Sequence, residues 1–210
     1  GVEVRLVYEL EDEGRDPLPA PPRTDPAEIG AERFPSHGVS TRDGLMHHKY
    51  VIRDGRTVWT GSLNWTEDSW TRQENVVVVI DSEELAYAFS LNFHELWNAV
   101  DEGFLQWRTN GVSEWKIPLL RTVLTGAPFA GKESTRWSPT SVHDFMHAKV
   151  VVTDDTAFVG SFNLSRSGER NAENVVEIRD AAIADRLADY IDEVRASYPP
   201  ATPPDTRHPA

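Results

Sequence analysis

Two stretches decide the fold: His47-His48-Lys49-Tyr50-Val51-Ile52-Arg53-Asp54-Gly55, leading to Gly61-Ser62-Leu63-Asn64, and Met146-His147-Ala148-Lys149-Val150-Val151-Val152-Thr153-Asp154, leading to Gly160-Ser161-Phe162-Asn163. His47, Lys49 and Asp54 recur 100 positions later as His147, Lys149 and Asp154. Gly61, Ser62, Asn64, Glu74, Asn75, Val76 and Val77 recur 99 positions later, so one residue is absent from the second turn. Ten identities across a single gap, several of them polar, mark an internal duplication. In each copy an apolar run, a turn and a second apolar run ending in Gly-Ser read as a hairpin, and Asp54-Gly55 is a strong hairpin turn. A third strand follows, over 75–80 and 174–178, and then an amphipathic helix. Leu85, Phe89, Phe93, Leu96 and Trp97 share one face of the first helix, and Ile183, Leu187, Tyr190, Ile191 and Val194 one face of the second. Asp81 or Ser82 is positioned to cap the first.

The expected architecture is α/β, with two lobes related by a pseudo-twofold axis and each a mixed β-sheet flanked by helices. Residues 1–100 form the first lobe and 101–197 the second. Residues 198–210 form a proline-rich tail, expected to be disordered. A strand is expected over 2–8. Residues 11–38, acidic and dotted with proline, read as a long loop. The chain opens on Gly1 with a strand and has little helix between Asn110-Gly111-Val112 and the second motif, so the openings of both lobes are expected to be truncated. The whole chain has 210 residues, 21 Lys+Arg against 34 Asp+Glu, and a net charge of −13. That balance disfavours broad nucleic-acid binding, which depends on clustered cations. With no cysteine there is neither a disulfide framework nor a thiol nucleophile. No apolar run approaches the ~20 residues of a membrane helix. The compartment stays open.

Side chains at i and i+2 of a strand share a face, which sets His47 with Lys49 and His147 with Lys149, and turns His48 to the other side, for packing or a local hydrogen bond. Two lysines with Asn64 and Asn163 surround an anion with charge and neutral donors. One imidazole can attack while another protonates the leaving group, and Glu74 and Glu173 can each hold an imidazole by its second nitrogen. The fitting substrate is a phosphodiester. A metal centre, suggested by His143-x-x-x-His147, is disfavoured because the lysines would repel a cation, so neither metal nor cofactor is expected.

The paired pattern His47-x-Lys49-x4-Asp54-x6-Gly61-Ser62-x-Asn64 and His147-x-Lys149-x4-Asp154-x5-Gly160-Ser161-x-Asn163 resembles the signature of the phospholipase D superfamily over roughly residues 1–197. The resemblance implies a phospholipase D-like fold, with His47 as nucleophile and His147 as acid and then base. Lys49, Lys149, Asn64 and Asn163 would hold phosphoryl oxygens, and Glu74 and Glu173 would orient the histidines. Asp54 and Asp154 would be structural, and Ser62 and Ser161 would lend hydroxyls or simply fit where strands crowd. It implies hydrolysis of phospholipid head groups to phosphatidate through phosphohistidine, at a membrane surface, by a monomer carrying both half-sites. Phosphatidyl transfer, as in cardiolipin or phosphatidylserine synthesis, a metal-independent endonuclease and an inactive two-lobed binding protein are the alternatives, in that order. Trp65 and Trp70, just after the first Gly-Ser-x-Asn, are candidates for a membrane-facing cluster.

Overall fold

The structure, a computed structural model, describes residues 1–9, 33–39, 45–98, 146–165, 168 and 171–197. Most of the expected loop, the opening of the second half around Asn110-Gly111-Val112, His143 and the proline-rich tail lie outside these residues. The chain is mixed α/β. Strand β1 (Leu6–Glu9) pairs in parallel with β2 (Ser36–Val39). Strands β3 (Tyr50–Arg53), β4 (Thr57–Gly61) and β5 (Val77–Asp81) form one antiparallel sheet, and β6 (Val150–Thr153), β7 (Thr156–Gly160) and β8 (Val175–Arg179) another. Helices α1 (Glu67–Thr71), α2 (Glu83–Trp97) and α3 (Ala181–Ser197) complete the described elements.

The duplication is therefore structural as well as textual, down to the gap. Three residues, 54–56, join β3 to β4, whereas Asp154 and Asp155 alone join β6 to β7. Asp54 and Asp154 both take the left-handed conformation (φ 53° and 48°), which Asp tolerates better than most residues. Such short turns join only antiparallel neighbours. β5 and β8, reached through longer connections, also run antiparallel to β4 and β7, so each three-stranded sheet is antiparallel rather than mixed, and parallel pairing is found at β1–β2 and at two isolated bridges between the repeats.

The expected loop over 11–38 ends early, because Ser36, His37 and Gly38 belong to β2. Pro35 stays outside the ladder and uses its carbonyl to accept from Leu6 N at 3.1 Å, while pairing with β1 outweighs the weak strand preference of Gly38. The first strand covers Leu6–Glu9 rather than 2–8.

Ser82 caps α2, its hydroxyl accepting from Leu85 N at 3.1 Å. The α2 face foreseen from spacing turns inward: Leu96 is buried and Leu85, Phe89, Phe93 and Trp97 are half-buried. Tyr50 meets Phe89 edge-on at 4.9 Å and donates to Asn92 Oδ1 at 2.8 Å. On α3, Ile183 departs from the expected face and is exposed. Ala184 takes the first buried place, and Asp180 Oδ1 caps the helix by accepting from Ile183 N at 3.0 Å. Val58 on β4 and its repeat equivalent Ala157 on β7 are completely buried, as is Val159, and each of the two valines contributes about 1.5–3 kcal/mol by leaving water. The centre between the sheets is polar: Thr60, Ser62 and Ser161 are also fully buried. Among the described residues, no helix is long and apolar enough to cross a membrane.

Candidate active site

The two motifs meet because each one is bridged to the other repeat just before it enters its own sheet. Met46 pairs with Ala172 and Met146 with Glu74, both in parallel. His47 N donates to Ala172 O (2.8 Å), Ala172 N to Leu45 O (2.7 Å) and His147 N to Glu74 O (3.0 Å). His47 to Lys49 and His147 to Lys149 are thus lead-ins to β3 and β6, not parts of strands as the spacing suggested. Their backbone partners come from the opposite repeat, which no local pattern encodes.

Each lysine folds back so that its Nζ donates to the carbonyl of its own motif histidine, both at 2.7 Å. Lys49 is 5% exposed. Burial, with a smaller push from Lys149, lowers its pKa to about 7 against the opposing pull of Glu173. Lys149 falls to about 8, again by burial, with Glu173 opposing. Two weakly solvated ammonium groups sharing one carboxylate make a small positive centre in an acidic protein.

His47 Nδ1 lies 2.8 and 2.9 Å from the two carboxylate oxygens of Glu173. That carboxylate also accepts from Ser161 Oγ (2.6 Å) and Asn171 Nδ2 (3.0 Å). Asn171 further accepts from Leu45 N through Oδ1 (3.1 Å), so it ties the approach to His47 to the residue that orients it. An acceptor-only carboxylate requires the proton on His47 Nδ1 and leaves Nε2 with a lone pair. His147 has different surroundings. Its Nδ1 is 2.9 Å from Asn75 Oδ1, which also accepts from Ser62 Oγ at 2.8 Å. Burial lowers the pKa of His147 to about 3, helped by Lys149, Lys49 and His47, with a Ser62 backbone hydrogen bond pulling the other way.

Asp54 lies five residues beyond Lys49 along an extended chain, about 16 Å at ~3.3 Å per residue, too far to share a ligand with it. Asp154 stands in the same relation to Lys149. Asn64 and Asn163 follow the ends of β4 and β7 and are half-buried. His48 is turned away as expected: it packs edge-on against Tyr50 (5.6 Å) and its Nδ1 is 3.4 Å from Asn174 Oδ1. Burial lowers its pKa to about 4. Among the described residues, no three His, Asp or Glu side chains cluster as a metal site.

Three polar residues that sequence reasoning did not single out for these roles shape the site. Asn75 and Asn171 contact His147 and Glu173, and Glu9 Oε2 accepts from Met46 N at 2.7 Å. Burial raises the pKa of Glu9 to about 7 against that hydrogen bond. Asn75 was visible as part of the duplicated Glu-Asn pair. Asn171 has Arg72 as its repeat equivalent and Glu9 lies outside the repeat, so neither carried a signal.

A family model described as "Cardiolipin synthase, PLD-like domain" matches residues 1–97 and 126–195. Among curated proteins, the mitochondrial cardiolipin hydrolase of Xenopus tropicalis is 39% identical over 80 residues, 36% of this chain and 37% of that protein. The protein of the same name from Xenopus laevis is 35% identical over 79 residues, with the same shares. The human one is 37% identical over 54 residues, 26% of this chain and 21% of that protein. The matched stretch thus spans little more than a third of the length of the Xenopus relatives.

Proposed function

We infer the activity of this chain from its family and from its paired histidines: it belongs to the phospholipase D-like domain family of cardiolipin synthase, and it acts as a phosphodiesterase on phospholipids. The observation that carries the reading is the His47–Glu173 pair set beside buried Lys49 and half-buried Lys149. His47 Nε2 attacks phosphorus, the P–N bond forms and the P–O bond to the head-group alcohol breaks. Protonated His147 gives its Nε2 proton to the departing oxygen, then takes a proton from the water that cleaves the phosphohistidine. Lys49, Lys149, Asn64 and Asn163 bind the non-bridging oxygens, where charge builds in the transition state. Glu173 orients His47, Glu74 accepts from His147 N through its main-chain carbonyl while Asn75 takes the place at His147 Nδ1 expected of Glu74, and Ser62 and Ser161 hold Asn75 and Glu173 in place.

In the empty site His147 is neutral at pH 7, because burial disfavours its charged form and the two lysines add to that effect. A bound phosphodiester offsets that charge, raising the pKa of His147 towards the range a general acid needs. Substrate binding and arming of the acid are then one event. The lysines supply the positive charge, so the chemistry calls for no metal.

The names of the relatives point to cardiolipin, itself a double phosphodiester, as substrate. The family description favours a second reading, in which a lipid alcohol replaces water and phosphatidyl transfer results. Cardiolipin, phosphatidylcholine and single-stranded DNA, each offered with and without glycerol, separate these activities. Release of phosphatidate from lipid, lost in both His47→Ala and His147→Ala, supports the hydrolase. A glycerol adduct supports transfer, and cleavage of DNA alone would replace both readings with a nuclease.

A further inference from the structure

We propose that Asn75 is the positioning residue for His147, and that its amide oxygen fixes the Nδ1–H tautomer and makes the two halves of the site chemically unequal. The proposal rests on the two-histidine reading above and deepens it.

The orientation of the Asn75 amide is set by its neighbours. Its Nδ2 donates to Ser69 O at 3.1 Å, so the atom facing His147 is the oxygen. That oxygen accepts the Ser62 hydroxyl at 2.8 Å, while Ser62 Oγ itself accepts from Val76 N at 3.0 Å. Of the two acceptors in reach of the serine proton, Asn75 Oδ1 at 2.8 Å is much closer than Val76 O at 3.4 Å, so the proton goes to Asn75. An amide oxygen can only accept, so the 2.9 Å contact favours the proton on His147 Nδ1, beside the Ser62 backbone hydrogen bond that steadies the charged ring. Nε2 is then the nitrogen that gains and loses the catalytic proton, in both steps of the reaction.

The duplicated serines expose the asymmetry. Ser161 donates to Glu173 Oε2 at 2.6 Å, and that carboxylate holds His47. Ser62, at the equivalent position, donates instead to an amide that holds His147. A carboxylate raises the basicity of its imidazole and stabilises the positive charge that develops when the other nitrogen bonds to phosphorus. An amide fixes the tautomer without adding negative charge, so its imidazole gives up a proton readily. The first arrangement suits a nucleophile and the second an acid.

The direct test is the imidazole nitrogen spectrum of the ¹⁵N-histidine-labelled protein, assigned with His47→Ala and His147→Ala. Between pH 6 and 8 His147 should appear as the Nδ1–H tautomer, although free imidazole side chains favour Nε2–H. An Nε2–H signal for His147 would overturn the proposal in the unaltered protein, where folding is not at issue. In Asn75→Asp, which keeps the accepting oxygen and adds charge, the midpoint of His147 should rise by about one pH unit or more, with that of His47 little moved. An unmoved His147 midpoint in the folded variant would also overturn it. In kinetics, Asn75→Ala should slow cleavage of an alkyl phosphodiester at least about tenfold more than of a p-nitrophenyl phosphodiester, whose leaving group needs no acid. Equal slowing of both would contradict the assignment. If the tautomer is as proposed but the wild-type protein cleaves neither ester, it is the phosphodiesterase reading that fails.

Discussion

Replacing Glu173 by Gln removes one charge from the centre of the site and little volume. The carboxylate accepts the His47 Nδ1 proton at 2.8 and 2.9 Å, Ser161 Oγ at 2.6 Å and Asn171 Nδ2 at 3.0 Å, and it is 7% exposed. When His47 Nε2 bonds to phosphorus, the ring gains positive charge close to this carboxylate. A unit charge pair at that range is worth about 4 kcal/mol at an effective dielectric constant of 20. Gln retains part of this through its oxygen dipole, which leaves a loss of about 3 kcal/mol, or roughly a hundredfold in kcat. A second effect follows at Lys49. Glu173 opposes the burial that lowers the pKa of Lys49 to about 7; without that pull the pKa drops further, and KM at pH 7 rises. Steady-state hydrolysis of a soluble phosphodiester, with the folded fraction checked by near-UV circular dichroism, gives both numbers. A folded Glu173→Gln enzyme within about fivefold of wild type in kcat would refute the assignment of His47 as a carboxylate-backed nucleophile.

Other outcomes are as definite. Because Lys49 and Lys149 titrate near 7 and 8 in the empty folded protein and bind phosphate only when charged, kcat/KM should fall as pH rises from 7 to 9. Stability should move the other way. Both lysines hold their protons more weakly folded than unfolded, so the unfolded state binds more protons in this window and the free energy of unfolding rises with pH. Urea titrations at pH 7 and 9 that show no gain would contradict the burial of these two groups. Gly160→Ala would drive a Cβ into the Asn174 carbonyl, which accepts from Ser161 N at 2.9 Å; a loss of about 1–3 kcal/mol is expected, and a melting temperature unchanged within a degree would contradict the close approach. Saturating chelator should leave turnover unchanged if, as proposed, lysines hold the phosphate, and lost activity restored by added metal would contradict that.

The duplication made much of the fold legible, because polar residues repeating at 99 and 100 positions fix two sheets of the same design. The gap itself pointed to the turn, now seen as three residues against two. Alternation separated His47 from His48 correctly, although both precede the strand rather than lie in it. What stayed hidden is what one repeat does to the other. His47 meets Glu173 across 126 residues and His147 meets Asn75 across 72. Such partners are set by the parallel bridges at Met46 and Met146, and a bridge of one residue pair leaves no period to read. The β2 strand was masked for a simpler reason: proline density spoke for a loop, and only pairing with β1 decided otherwise.

The proposed reaction passes through a covalent phosphoenzyme on His47, released with the help of His147. Rapid quench of a ³²P-labelled phosphodiester, followed by digestion at alkaline pH where phosphohistidine survives, tests it directly. Label is expected on the peptide bearing His47, prolonged in His147→Ala and absent in His47→Ala. Label on His147, or turnover in the wild type without any labelled peptide, would contradict it.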